Sequence, residues 1–126
     1  GTATTFDIIK KGKYIGGVIS PGIQVSNIAL SISAAKLRTI SIKKNYDIAG
    51  KNTEKAMQSG FFWGYVSLIN GIISIIIKQK KFKPKIILTG GLAKIFSKEI
   101  KLKAIIDQNL TLNGLYLIGK INVKSK

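Results

Sequence analysis

The 126 residues contain no cysteine and no histidine. The first absence excludes disulfide scaffolds, thiolate metal sites and cysteine nucleophiles. The second removes Ser-His-Asp triads, histidine zinc sites and histidine general bases. Acidic residues are scarce as well: five Asp and Glu stand against 21 Lys and Arg, a formal net charge of +16. Any chemistry in this chain must therefore rest on a few carboxylates, on hydroxyls and lysines, or on backbone amides. Prolines number two, and nothing resembles a Pro- or Ser-rich linker or an internal repeat. The length suits one domain of roughly 100–150 residues. With 45% hydrophobic residues, the chain is too apolar for a disordered tail.

Arginine is nearly absent too. Arg38 stands alone beside 20 Lys and 24 Ile. Nucleic-acid readers spend arginine on phosphates and base edges, because its guanidinium fork binds two acceptors at once. Lys, Ile and Asn share A/T-rich codons, so two readings of the charge stand side by side: genome composition, or a polyanionic partner. Either one implies salt-sensitive, non-specific adherence to nucleic acid.

Apolar runs are short, with one exception. Residues 56–77 carry no charge and are flanked by Lys55 and Lys78, which is long enough for a membrane span. Gln58, Ser59, Ser67, Asn70 and Ser74 interrupt the stretch, and it is read as a buried helix of a soluble α/β domain.

Residues 4–10 are β-branched and aromatic, Lys11-Gly12-Lys13 is a turn signal, and residues 14–19 complete a hairpin. Pro21-Gly22 stops it. Helical spacing then predicts a helix over 23–37. Residues 39–47 are ambiguous between a short strand and an irregular connection. Asn52-Thr53 is an N-cap signal for a long helix over 54–79. On it Gly60, Gly64, Ser67 and Gly71 share one face, suited either to packing on the domain's own sheet or to a dimer interface. A basic, solvated turn over 78–85 leads into a strand at 85–88. Short helices are expected over 92–98 and 109–121, and a frayed Lys-Ser-Lys tail closes the chain.

Three glycine-rich corners sit at strand ends: Gly1-Thr2-Ala3-Thr4-Thr5, Gly16-Gly17-Val18-Ile19-Ser20-Pro21-Gly22 and Thr89-Gly90-Gly91-Leu92-Ala93. Glycine allows close backbone approach to a phosphate, threonine adds uncharged donors, and a helix after Gly91 would offer free N–H groups. One such corner is weak, because Gly-Gly at a strand end is commonly only a tight turn. Three in this order are specific.

With Asn52-Thr53-Glu54-Lys55-Ala56-Met57-Gln58-Ser59-Gly60 and Leu110-Thr111-Leu112-Asn113-Gly114-Leu115 added, the chain resembles the type III pantothenate kinases of the ASKHA (actin-like and sugar-kinase) superfamily. The resemblance runs over nearly all 126 residues. It implies an α/β, ribonuclease H-like (actin/ASKHA-type) fold, with a mixed sheet, an antiparallel hairpin and flanking helices. Residues 1–126 would form a single C-terminal lobe, the second half of a two-lobed enzyme. It further implies ATP-dependent phosphorylation of pantothenate to 4'-phosphopantothenate, the first step of coenzyme A synthesis. ATP with Mg2+, a monovalent cation (K+ or NH4+), a homodimer and a cytoplasmic location come with it, and neither a specific nucleic acid nor a membrane is expected. Relatives of the Bvg accessory factor type leave a non-catalytic nucleotide-binding or regulatory module as the alternative.

Carried over residue by residue, Gly1 and Thr2 match the phosphate corner, Gly90 and Gly91 the nucleotide-side glycines, and Thr53 the pantothenate-contacting threonine. Thr53 could equally be a plain N-cap. Asp7 is not the base: the family's base is an aspartate in an upstream Gly-x-Asp-Arg motif, and its cation ligand an aspartate two residues before Gly1. Asp7 is left to orient the corner or a metal-bound water, or to a structural strand-end role. The isolated 126 residues are therefore expected to lack kinase activity and to expose the face that meets the other lobe.

Overall fold

The computed structural model describes residues 1–45 and 47–123. The tail at 124–126, expected to fray, lies outside the described residues, as does Tyr46 within the ambiguous connection. The chain divides into two compact units, Gly1–Tyr65 and Val66–Lys126, and the division falls inside a helix rather than at a linker.

The first unit opens with a hairpin. β1 (Ala3–Lys10) pairs antiparallel with β2 (Lys13–Pro21), from Ala3 opposite Pro21 to Lys10 opposite Lys13. Along β1 the exposure alternates residue by residue, with Thr4, Phe6 and Ile8 on the more covered side, as a half-buried strand requires. Lys11 and Gly12 both take positive φ, at 51° and 72°, the geometry of a two-residue turn matched to strand twist. A register shift between Asp7 and Ile9 breaks the ladder, a bulge that bends the strand there.

α1 (Ile23–Ser33) follows at once, with Ile23 and Asn27 as its buried side chains. It stops four residues short of the expected end. Ser31 Oγ donates to the Ile28 carbonyl, and Ala34 turns extended at φ −128° and ψ 98°. Serine hydroxyls compete with the helix for its own backbone groups. The connection over 34–52 has no regular structure among its described residues, and buried polar side chains tether it. Asn27 Nδ2 donates to the Ile40 carbonyl at 2.7 Å, and the Ile40 N–H returns to Asn27 Oδ1 at 3.2 Å. Ser59 Oγ donates to the Ile48 carbonyl, and Trp63 Nε1 to the Asn45 carbonyl. Lys44 Nζ lies 5.4 Å from the centre of the same indole ring.

α2 (Thr53–Lys80) is long and apolar enough to cross a membrane by length and composition alone. It is not buried all round. Gln58, Phe62, Tyr65, Ile69 and Ile73 are buried at helical spacing, whereas Gly60, Gly64, Ser67 and Gly71 are exposed. A Cβ added at any of these three glycines would meet nothing within 4 Å. The small-residue face therefore does not pack on the domain's own sheet within the described chain.

In the second unit, β3 (Ile86–Leu88) pairs in parallel with β4 (Ala104–Ile106). β4 is an addition to the sequence reading: a three-residue apolar run has no periodicity to display. Between them, the helix expected over 92–98 is one α turn, α3 (Ala93–Phe96), followed by a 3-10 turn, Ser97–Glu99. Asn70, buried on α2, holds the return to β4. Its Nδ2 donates to the Glu99 carbonyl at 2.9 Å and its Oδ1 accepts the Lys101 N–H at 2.8 Å. Val66, Ile69, Ile73, Ala93, Phe96 and Ile100 are the buried apolar residues of this unit. α4 (Leu110–Val123) closes the described chain. Among the described residues, two two-stranded sheets, one antiparallel and one parallel, stand where a mixed sheet was expected.

Candidate functional site

The Gly1-Thr2 corner is built on Gly22. The Gly22 N–H donates to the Thr2 carbonyl at 2.8 Å. A Cβ on Gly22 would overlap the Gly1 carbonyl oxygen and lie 2.9 Å from the Thr2 carbonyl, so only glycine fits this approach. Gly22 is also the N-cap residue of α1, with no side-chain cap bond and no acidic residue in the first turn. Gly1 and Thr2 therefore stand beside a helix N-terminus whose first N–H groups are not neutralised by a side chain, an environment that favours anions. Tyr65 on α2 donates its hydroxyl to the Pro21 carbonyl next to Gly22, tying the same corner to the long helix.

Asp7 lies mid-strand rather than at a strand end, opposite Gly17 and next to the bulge. A Cβ on Gly17 would stand 2.8 Å from the Tyr14 hydroxyl, 2.9 Å from the Phe6 carbonyl and 3.4 Å from Asp7 Oδ1. Gly17 thus leaves room for the carboxylate to lie across the hairpin.

Thr53 is the first residue of α2 and is exposed. It does not cap the helix. Asn52 does, accepting the Lys55 N–H on Oδ1 at 2.9 Å, while its carbonyl accepts the Ala56 N–H. This leaves the Thr53 hydroxyl at the positive end of a 28-residue helix, between Lys51 and Lys55. Gly50 sets the entry: a Cβ there would overlap the Ala56 amide nitrogen. One turn further on, Gln58 is buried, with Nε2 donating to Glu54 Oε1 at 3.0 Å. Its Oε1 is a buried acceptor with no partner among the described residues, an arrangement that costs roughly 1–3 kcal/mol unless a donor arrives.

Gly90 and Gly91 belong to the second unit, at the end of β3. Gly90 has φ +91°, which a side chain rarely adopts. Its carbonyl accepts the Ala93 N–H at 3.1 Å and Gln108 Nε2 at 3.2 Å. The expected row of free amides after Gly91 is reduced accordingly: the Ala93 N–H is already engaged, and a four-residue helix develops little dipole. Cβ atoms at Gly90 and Gly91 would both meet open space.

Gly22, Gly50, Asn52 and Gln108 were not singled out from sequence as site residues. The trace they leave is the Pro21-Gly22 strand stop for Gly22 and, for Gly50, a place just before the Asn52-Thr53 N-cap signal. Gln108 has none, because it meets Gly90 only through the pairing of β3 with β4.

A model of the type III pantothenate kinase family matches residues 1–75. A type III pantothenate kinase of Persephonella marina is 48% identical over 117 residues, which are 92% of this chain and 46% of that protein. The crystal structure of a Campylobacter jejuni protein, provisionally described as a Baf family transcriptional activator, superposes with a TM-score of 0.64 at 27% identity. It is covered over 55% of its length by 98% of this chain. The chain spans about half the length of each. On the family match and the identity across nearly all of its residues, the chain belongs to the type III pantothenate kinase family.

Proposed function

We propose that these residues form the C-terminal, ASKHA-type lobe of an enzyme that transfers the γ-phosphoryl of ATP to pantothenate, giving 4'-phosphopantothenate for coenzyme A synthesis. The observation that carries this reading is the seat of Gly1 and Thr2 on Gly22, at an α1 N-terminus without a capping side chain or an acid. Such a corner takes phosphate oxygens on backbone amides and a threonine hydroxyl, and phosphoryl transfer depends mainly on this kind of positioning. Thr53, relieved of capping by Asn52, is positioned for the carboxylate of pantothenate at the positive end of α2. Gly90 and Gly91 take the adenosine side, their open surroundings leaving room for it.

Among the described residues no group of three His, Cys, Asp or Glu gathers as a metal cluster. The donor set suits a Mg2+ that arrives on the nucleotide and keeps its waters, with the exposed Asp7 able to hold one of those waters. Such an ion would neutralise charge on the phosphates. The base and the K+ or NH4+ ligand are assigned to the half of the family's chain outside these residues. The open Gly60-Gly64-Ser67-Gly71 face of α2 supports a homodimer, and a cytoplasmic location accords with the substrates.

The test uses a chimera in which these 126 residues replace the matching stretch of the Persephonella marina relative. With ATP and pantothenate, the chimera forms 4'-phosphopantothenate by mass spectrometry, and the 126 residues alone release no ADP. A folded chimera that binds ATP without forming product would favour the second reading, a non-catalytic nucleotide-binding module, for which the Campylobacter jejuni likeness speaks.

A further inference from the structure

Tyr65 is a buried residue of α2, 8% exposed, and its hydroxyl donates to the Pro21 carbonyl, 44 positions back along the chain. A buried tyrosine hydroxyl needs an acceptor, and many carbonyls would serve. The one it takes belongs to the peptide that carries the Gly22 N–H, the group that holds the Thr2 carbonyl at 2.8 Å.

Every described peptide bond is trans, and the C=O and N–H of a trans peptide point in opposite directions. Tyr65 therefore grips the Pro21–Gly22 peptide on one side while Thr2 is held on the other. The row runs from the Tyr65 hydroxyl to the Pro21 carbonyl, and from the Gly22 N–H to the Thr2 carbonyl. Each bond in such a row polarises the next.

The hairpin does not secure this peptide by itself. Ala3 stands opposite Pro21, and the Gly22 to Thr2 bond beside them makes this a pair whose own polar groups face away from the ladder. β1 thus gives the Pro21 carbonyl no donor. Gly22 has ordinary extended dihedrals, φ −68° and ψ 147°, which glycine is free to leave. The next peptide is secured from α1, where Ser26 gives its N–H and its Oγ to the Gly22 carbonyl at 3.0 and 3.1 Å. The Pro21–Gly22 peptide is instead set by a residue brought from α2.

We propose that the Tyr65 hydroxyl is a positioning group for phosphoryl transfer: it sets the Pro21–Gly22 peptide, and through it the Gly1-Thr2 corner on which the phosphates of ATP lie. The proposal rests on the reading of that corner as the phosphate seat, and Tyr65 itself touches no substrate. Thr53 stands on the same helix twelve residues earlier, about 18 Å along the axis, where Asn52 caps the end. Loss of the hydroxyl therefore disturbs the phosphate end and spares the acceptor end.

Tyr65→Phe in the chimera described above removes the hydroxyl and keeps the ring. At saturating pantothenate, kcat/KM for ATP falls about tenfold, and the KM for pantothenate is unchanged. The Kd for the β,γ-imido analogue of ATP rises by a similar factor. Hydrogen exchange of peptides covering 18–25 quickens, while that of 86–106 stays as in the parent. Tyr65→Met, which also lacks the hydroxyl, shares the defect toward ATP and serves where the first variant does not fold.

A variant that melts lower yet keeps the parent's kcat/KM and analogue affinity makes Tyr65 a packing residue and overturns the proposal. So do equal losses toward ATP and pantothenate, the mark of a general loosening of the first unit. A chimera active as a kinase, with Tyr65→Phe indistinguishable from it, refutes the proposal and spares the kinase. A chimera that binds the analogue without forming 4'-phosphopantothenate does harm to the kinase reading alone, because the affinity of Tyr65→Phe for the analogue still decides the proposal. A chimera that binds no nucleotide refutes both.

Discussion

A Cβ at Gly22 would overlap the Gly1 carbonyl oxygen and one at Gly50 the Ala56 amide, whereas Cβ atoms at Gly90 and Gly91 would meet nothing within 4 Å. Gly17, Gly22 and Gly50 of the first unit are required by the protein's own packing, whereas Gly60 and Gly64 on α2 are not. In the second unit, Gly90 is required by its φ of +91°, and Gly91 by neither space nor conformation. A glycine that the fold does not need is one that a ligand can need. Gly22 and Gly50 thus report how the first unit is built, and Gly91 answers to no such demand.

Substitution separates the two kinds of glycine. Gly22→Ala and Gly50→Ala force backbone apart, and each is expected to cost about 3 kcal/mol or more, read as a large fall in the thermal midpoint. A near-neutral result for either would break the comparison at its root. Asn70→Ala strips partners from the Glu99 carbonyl and the Lys101 N–H, at roughly 2–3 kcal/mol. Faster hydrogen exchange after this change should be confined to the second unit. Asn52→Ala removes the α2 cap at about 1 kcal/mol, and Thr53→Ala should cost clearly less, because Asn52 and not Thr53 caps the helix. Chemical denaturation of the pair sharpens the assignment, and equal losses would return Thr53 to a capping role. Smallest is Gly91→Ala, expected within about 0.5 kcal/mol of the parent chain. Any defect that it shows should lie in nucleotide affinity.

Local signals carried much of the fold. The Lys11-Gly12 turn between alternating strands, the Asn52-Thr53 start and the long apolar period of α2 are written within a few residues of where they act, and the structure follows them. What stayed hidden depends on distant partners. β4 is three residues long and exists because Ile86–Leu88 lies beside it. The early end of α1 turns on serine hydroxyls that periodicity does not weigh. The open face of α2 could not be told from a packed one, because small residues suit both. Motif resemblance picked out Gly1, Thr2, Thr53, Gly90 and Gly91 as candidate site residues. The roles of Gly22 and Gly50 were not, because a residue forbidden a side chain looks in sequence like any other turn glycine. Gln58 shows the same limit, since only the fold reveals that its Oε1 is buried without a partner.

The division of labour between the units is the central claim, and steady-state kinetics of the chimera with single substitutions tests it most directly. Thr53→Ala should raise the KM for pantothenate about tenfold or more, the loss of one hydrogen bond to a charged group, and leave the KM for ATP unchanged. Gly91→Ala should do the opposite, with both variants melting close to the parent. If the two substitutions weaken the same substrate, or if neither KM moves, the assignment of acceptor to the first unit and nucleoside to the second is wrong.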